Sequence, residues 1–197
     1  MQSSEGRDLH QEILESARQL FIEQGYHGLA MRQIAEAVGV TKAALYYHFK
    51  DKEELFLAVL DEYMEENSRL IDRIRSEGGN CRRQIRLLVE SILSQPAEQR
   101  ALIRLSSQEM ALLSTPAQKL IHRAYHEKFL DKIQSMLKIG IARGELRPVD
   151  PGVATWVLLG MMYPYTYPTH IQEMPPPADV FDQILTIYLD GLSNPSE

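Results

Sequence analysis

Residues 30–49, AMRQIAEAVGVTKAALYYHF, decide how the rest of the chain is read. Ile34, Ala35 and Val38 recur at helical spacing and give a first short helix one apolar face. Gly39 supplies the permissive backbone that a sharp turn needs, and Leu45 and Phe49 give a second helix its inner face. The stretch is therefore a helix, a tight turn and a helix. The outer face of the second helix carries Thr41, Lys42, Ala43, Tyr46, Tyr47 and His48, which are small, cationic or hydrogen-bonding and leave no apolar run to bury.

Such a face suits the major groove of DNA. Thr41 stands where an N-cap belongs, so the second helix starts at Lys42 and turns its unpaired N–H groups and positive dipole end toward a phosphate. Ala43 lets the backbone approach base edges. Lys42 reaches a guanine edge or a phosphate, while the tyrosine hydroxyls and His48 donate to phosphate oxygens, contacts that fix register without reading sequence. An ordinary helical hairpin would also show Ile34, Gly39 and Leu45. The two readings are separated by the conjunction of turn glycine, capping threonine, outward Lys-Ala and the Tyr-Tyr-His-Phe-Lys run.

At these residues the chain resembles the tetracycline-repressor (TetR) family of bacterial transcription regulators. The resemblance is carried by Arg32, Ile34, Ala35, Gly39, Val40, Thr41, Leu45, Tyr46, Tyr47, His48, Phe49 and Lys52, with Gly25, Gly28 and Leu29 leading in. The motif covers about the first quarter of the chain. What it implies is an all-α homodimer with an N-terminal three-helix helix-turn-helix DNA-binding unit and a larger C-terminal helical domain for effector binding and dimerisation. It also implies that Lys52 contacts phosphate, which completes a DNA-binding set of Arg32, Thr41, Lys42, Ala43, Tyr46, Tyr47, His48 and Lys52. Ala30 and Met31 stand where the family usually carries hydroxyl residues, so Gln33 is left to form half of a capping box.

Composition sets wider bounds. The chain has 197 residues, 44% of them hydrophobic, enough for a substantial core. No apolar run approaches the ~20 residues of a membrane span, and the opening MQSSEGRD is polar rather than a signal peptide, so a soluble cytoplasmic protein is expected. Cys81 is the single cysteine, which excludes an intrachain disulfide and a cysteine-based zinc cluster. Net charge is −6, unlike many DNA-binding chains, but between Ala30 and Lys52 four cations face two anions. Positive charge gathers where contact is expected, and the acidic remainder holds down non-specific affinity.

In chain order, a bracing helix is expected from about Asp8 to Gln24, ended by Gly25. Asp51 caps a long helix with Glu54 in capping-box position, and its apolar stripe runs to about Ser76, leaving it as the mechanical link between the two halves. The breaks at SEGGN, Pro96, the Ser114-Thr115-Pro116 start signal, Gly144, the Asp150-Pro151 start signal, Pro164 and Pro168, and the stiff Pro175–Pro177 connector divide the remainder. Nine helices, no strand and no repeat are expected. Domains are placed at residues 7–67 for DNA binding and 68–197 for effector binding and dimerisation, with the boundary inside the long helix.

Two further groups of residues invite a functional reading. His122 and His126 lie four apart with Glu127 beside them, a spacing that suits a metal, but Arg123 stands where a zincin needs glutamate and no third ligand is marked, so no metal is expected. Trp156, Met161, Met162, Tyr163, Tyr165, Tyr167 and Met110 form an aromatic and methionine-rich set that fits an adaptable apolar pocket and equally a core. From these, Met110, His122, His126, Trp156 and Met161 are expected to line a site for a small apolar or aromatic effector. The helix from Pro151 is apolar nearly all round, which calls for burial on several sides. Together with Val180, Phe181, Ile184 and Tyr188 of the last helix it is expected to form a four-helix dimer interface. No nucleophile–base pair, phosphate loop or paired carboxylate motif supports an enzyme, and no cofactor is expected. The competing class is an all-helical small-molecule-binding protein or enzyme in which the hairpin is only structural.

Overall fold

The computed structural model describes residues 2–166 and 178–192, and among these every regular element is helical. Helices α1 (Gln2–Gly28), α2 (Met31–Val38), α3 (Lys42–His48), α4 (Lys52–Ser76), α5 (Cys81–Leu93) and α6 (Ala97–Glu109) are followed by a 3-10 turn at Met110–Leu112. Helix α7 (Thr115–Tyr125), a π turn at His126–Leu130 and α8 (Asp131–Ala142) make one continuous helical run, which α9 (Pro151–Thr166) and α10 (Ala178–Leu192) follow. Counting that run once gives the nine rods expected from the sequence. The Pro175–Pro177 connector, Pro168 and Tyr167 lie outside the described residues.

The chain forms two compact units. The first comprises Met1–Tyr63 and Arg104–His122, and the second Met64–Ile103 and Arg123–Glu197. The chain therefore passes between them three times, within α4, within α6 and after His122, so α4 is one of three covalent links rather than the single link expected.

In the first unit Ile13, Ala17 and Phe21 of α1, Ile34 and Ala35 of α2, Leu45 of α3 and Leu55, Phe56 and Val59 of α4 form the buried core. Phe56 meets Phe21 edge-on at 4.9 Å and Tyr26 at the same distance. Helix α1 is broken at Gly25, whose φ of 73° and ψ of 169° belong to a region open only to glycine. Glycine here redirects the chain one turn before α2. At α7 the cap is Ser114, whose Oγ accepts from the Ala117 N–H at 3.3 Å, so Pro116 occupies the second helical position rather than the first.

The second unit packs α5, α8, α9 and α10 around Ile85, Leu88, Val89, Leu130, Ile133, Leu137, Leu158, Leu185 and Leu189. Asn80 caps α5 by accepting from the Arg83 N–H at 2.9 Å, and Asp150 caps α9 by accepting from Val153 at 2.9 Å. Arg82 pairs with Asp190 at 2.6 Å and Arg86 with Asp182 at 2.5 Å, joining α5 to α10. Pro164 does not end α9. Lying in the last turn, it forfeits one backbone hydrogen bond, and the helix continues to Thr166.

Gly140 shows how closely α5 and α8 approach. A Cβ built there would lie 2.6 Å from the Cys81 Cβ and 2.8 Å from its Sγ, both anchored close to the α5 backbone. Gly140→Ala gains helix propensity of up to about 1 kcal/mol, but overpacking of this kind costs about 1–3 kcal/mol. A net loss of stability is expected as a lower urea midpoint, and an unchanged midpoint would show that the two helices separate at no cost.

Candidate nucleic-acid interface

The turn between α2 and α3 is built from backbone hydrogen bonds. Gly39 adopts φ 77°, ψ 26°, its N–H donates to the Glu36 carbonyl at 3.2 Å, and the Val40 N–H donates to the Ala35 carbonyl at 2.9 Å. This pair of bonds is the Schellman arrangement, which requires a left-handed residue and therefore favours glycine. Thr41 then caps α3, its Oγ1 accepting from the Ala44 N–H at 3.1 Å. At the other end of α2, Ala30 has no side-chain acceptor, and only the return half of the capping box exists: the Ala30 N–H donates to Gln33 Oε1 at 2.7 Å. Gln33 Nε2 in turn donates to Gln24 Oε1 at 3.2 Å.

With both ends of the turn fixed and Leu45 and Phe49 buried, the outer face of α3 is set. Thr41, Lys42 and Ala43 are exposed, as are Tyr46 and Tyr47, the latter at 88%. Lys42 Nζ lies 5.6 Å from the centre of the Tyr46 ring, one turn on, so cation and phenol share one side of the helix. His48 is half-buried and turned toward α1, its ring centre 5.9 Å from that of His10, whose ring lies tilted against Phe49 at 4.9 Å. Arg32 is exposed on α2 and paired with Glu36 at 3.5 Å, an exposed i,i+4 pair weak enough to exchange for a phosphate.

Lys52 makes contacts that the sequence did not predict. Its Nζ donates to the carbonyl oxygens of Tyr26 at 2.6 Å and Leu29 at 2.9 Å and lies 4.5 Å from the Tyr26 ring centre. Two of its three N–H groups thus close the connection between α1 and α2, and one remains for any phosphate. Burial lowers its pKa, and Glu109 counters that effect. Lys52 is a positioning residue for the motif, a role hidden in the sequence because its partners are backbone carbonyls more than 20 residues away.

The residues expected to line an effector site are divided between the two units. Met110 and His122 belong to the first unit, while His126, Trp156 and Met161 belong to the second. Both histidines are exposed, and no group of three His, Cys, Asp or Glu side chains able to hold a metal occurs among the described residues. Trp156 is 55% exposed, because α9 buries only the face bearing Ala154, Thr155, Leu158 and Met162 within its own unit. Among the described residues α9 is thus buried on one face only. Of the last-helix set, Val180 and Phe181 are half-buried, whereas Ile184 and Tyr188 lie in the subunit core, where the Tyr188 hydroxyl donates to the Ala154 carbonyl at 3.0 Å. The exposed apolar residue of α10 is Ile187, at 67%.

Two family models match the chain. Residues 13–59 match bacterial regulatory proteins of the tetR family, and residues 78–166 match the tetracyclin repressor-like C-terminal domain. The chain belongs to the TetR family. Its relatives include the HTH-type transcriptional repressor AcnR of Corynebacterium efficiens, 43% identical over 34% of this chain and 35% of that protein. An uncharacterized HTH-type transcriptional regulator of Bacillus subtilis, YhgD, is 26% identical over 92% of this chain and 95% of its own length. The crystal structure of AibR in complex with isovaleryl coenzyme A and operator DNA superposes with a TM-score of 0.70 at 25% identity, covering 95% of this chain and all of that one. The chain spans about a third or less of the length of the AcnR repressors it matches.

Proposed function

We propose that this TetR-family protein is a ligand-responsive transcriptional repressor that binds a palindromic operator in the cytoplasm as a homodimer and releases it when a small effector occupies the second unit. The observation that carries the reading is the outer face of α3, where Lys42, Ala43, Tyr46 and Tyr47 project from a helix fixed at its start by the Gly39 turn and the Thr41 cap. Ala43 admits close approach, Lys42 supplies charge and a donor, and the tyrosines donate to the backbone of the duplex. Repression is the sense favoured by the AcnR relatives.

A homodimer is supported by the uncovered face of α9. Val153, Trp156, Val157 and Tyr163 are about half exposed or more, Gly160 lies among them with open space where a side chain would be, and Ile187 adds an exposed apolar group on α10. The spacing 153, 156, 157, 160, 163 is one helical face, and a second copy of it completes a four-helix interface. Among the described residues no helix is long and apolar enough to cross a membrane, so a lipid-spanning role does not compete for that face.

A two-fold dimer presents its two α3 helices to successive major grooves, so half-site centres are expected about one helical turn, 34–36 Å, apart. Selection of bound sequences from random DNA by the full chain tests this. A near-palindrome with that spacing is the expected outcome, and failure to enrich any sequence at low salt would remove the DNA-binding reading.

A further inference from the structure

The second unit encloses one charge that the interface and the dimer face do not use. Arg100 on α6 is 2% exposed and is the largest of the fully buried side chains. Its Nη1 donates to the carbonyl oxygens of Leu93 at 3.1 Å and Tyr165 at 3.4 Å. These carbonyls lie in the last turns of α5 and α9, so the negative ends of two helices face one corner of the guanidinium. The opposite edge is different. Nε–H is buried without a hydrogen-bond partner, and among the described residues no carboxylate pairs with this side chain. Burial lowers the Arg100 pKa, and no neighbouring acid counters it.

The bland account is a structural clamp on two helix ends. That account explains Nη1 and leaves Nε–H unexplained, although buried polar groups are nearly always satisfied and an unanswered N–H of a charged group is among the costliest to leave so. The Nε/Nη2 edge presents two parallel N–H groups, the geometry that takes both oxygens of a carboxylate. We propose that the Nε/Nη2 edge of Arg100 receives the carboxylate of an anionic effector whose apolar body lies against the core of the second unit. The inference rests on the reading that this unit is the effector domain, and it adds a carboxylate to the small apolar or aromatic molecule expected from the sequence.

Charge selects carboxylate over phosphate. Arg100 is the only buried cationic side chain among the described residues, so it balances one negative charge and leaves a phosphate monoester dianion in excess. The apolar body follows from the surroundings: Leu93 belongs to the core and Tyr165 packs against it, together with Phe129 and Met162. A route to α4 is present at the end of α5. Gln95, two residues beyond Leu93, donates from Nε2 to Asn67 Oδ1 on α4 at 3.3 Å, and Asn67 and Ser68 are the buried polar residues of that helix. A ligand that shifts the end of α5 is thereby felt by the helix that begins at Lys52.

The test uses the full chain without DNA and a panel of octanoate and phenylacetate against octanamide, phenylacetamide and octyl phosphate, read by calorimetry and thermal midpoint. At least one acid is expected to bind and its amide not to, and Arg100→Gln is expected to weaken that acid by about tenfold to a hundredfold. Arg100→Lys, which keeps the charge but loses the parallel pair, should fall between the two. If Arg100→Gln does not fold, the lysine variant and the acid-against-amide comparison decide. Equal binding of acid and amide, tighter binding of octyl phosphate, or no binding by either acid overturns the proposal. Operator binding measured alongside separates the two readings: DNA bound with no acid taken up overturns the Arg100 assignment alone, whereas acid taken up with no DNA bound overturns the regulator reading and leaves Arg100 standing.

Discussion

Trp156→Glu is expected to give a folded, soluble monomer that no longer holds operator DNA. Within one subunit Trp156 is more than half exposed, so the new carboxylate is solvated and the fold pays little for it. In the proposed dimer each copy would bury it against an apolar face with no cation to answer it. An uncompensated buried charge costs about 3–5 kcal/mol, and two-fold symmetry imposes it twice, so association should weaken by roughly four orders of magnitude or more. Sedimentation equilibrium and circular dichroism read the two halves of the result. Ile184→Glu is the control: Ile184 lies in the subunit core, so the same change there should unfold the second unit rather than yield a clean monomer. A Trp156→Glu protein that remains dimeric would place the interface elsewhere.

The second large effect is expected from Ala43→Glu. An acid in the first turn of a helix favours its dipole, so α3 should be as stable as before or slightly more so. At the proposed interface the same carboxylate faces phosphates and base edges, where like-charge juxtaposition costs several kcal/mol, and operator affinity should fall by at least about a hundredfold. Lys42→Ala, by contrast, removes a contact without adding repulsion and should lower the salt slope by about one if Lys42 binds only phosphate. Anisotropy titrations of the selected operator over a range of salt distinguish the two variants. Unchanged affinity in Ala43→Glu would remove α3 from the interface.

Much of this was legible because the motif is local. The Gly39 turn, the Thr41 cap, the Asp51 and Asp150 caps and the inward Leu45 and Phe49 all depend on neighbours within a few residues, and there spacing alone carries the information. What could not be read depends on partners distant in the chain. Lys52 bonds carbonyls of the α1–α2 connection, and Arg104–His122 returns to the first unit although it follows α5 by only a short interval. Helix α9 failed for another reason. When every position is apolar, periodicity has no contrast, and nothing distinguishes the face that packs inside the subunit from the face that bears Trp156. Arg100 was missed for a third. Beside Ala101, Leu102 and Leu105 it reads as an arginine at the edge of an apolar arc, whose head would ordinarily reach water.

The close approach of α5 and α8 also has a temporal meaning. Cys81 is buried at that crossing with its Sγ 3.7 Å from the Met136 carbonyl, and burial, with Glu145 second, pushes its thiol up to about 11. At neutral pH the enclosed thiol is therefore protonated and the reactive thiolate is scarce. Each time α5 lifts from α8 the thiol returns to its ordinary acidity and becomes open to attack. With no other sulfhydryl in the sequence, the rate of colour release from an aromatic disulfide reagent counts those openings directly. The chain carries its own clock for the breathing of its second half, and a bound effector that tightens this unit would be heard as a slower tick.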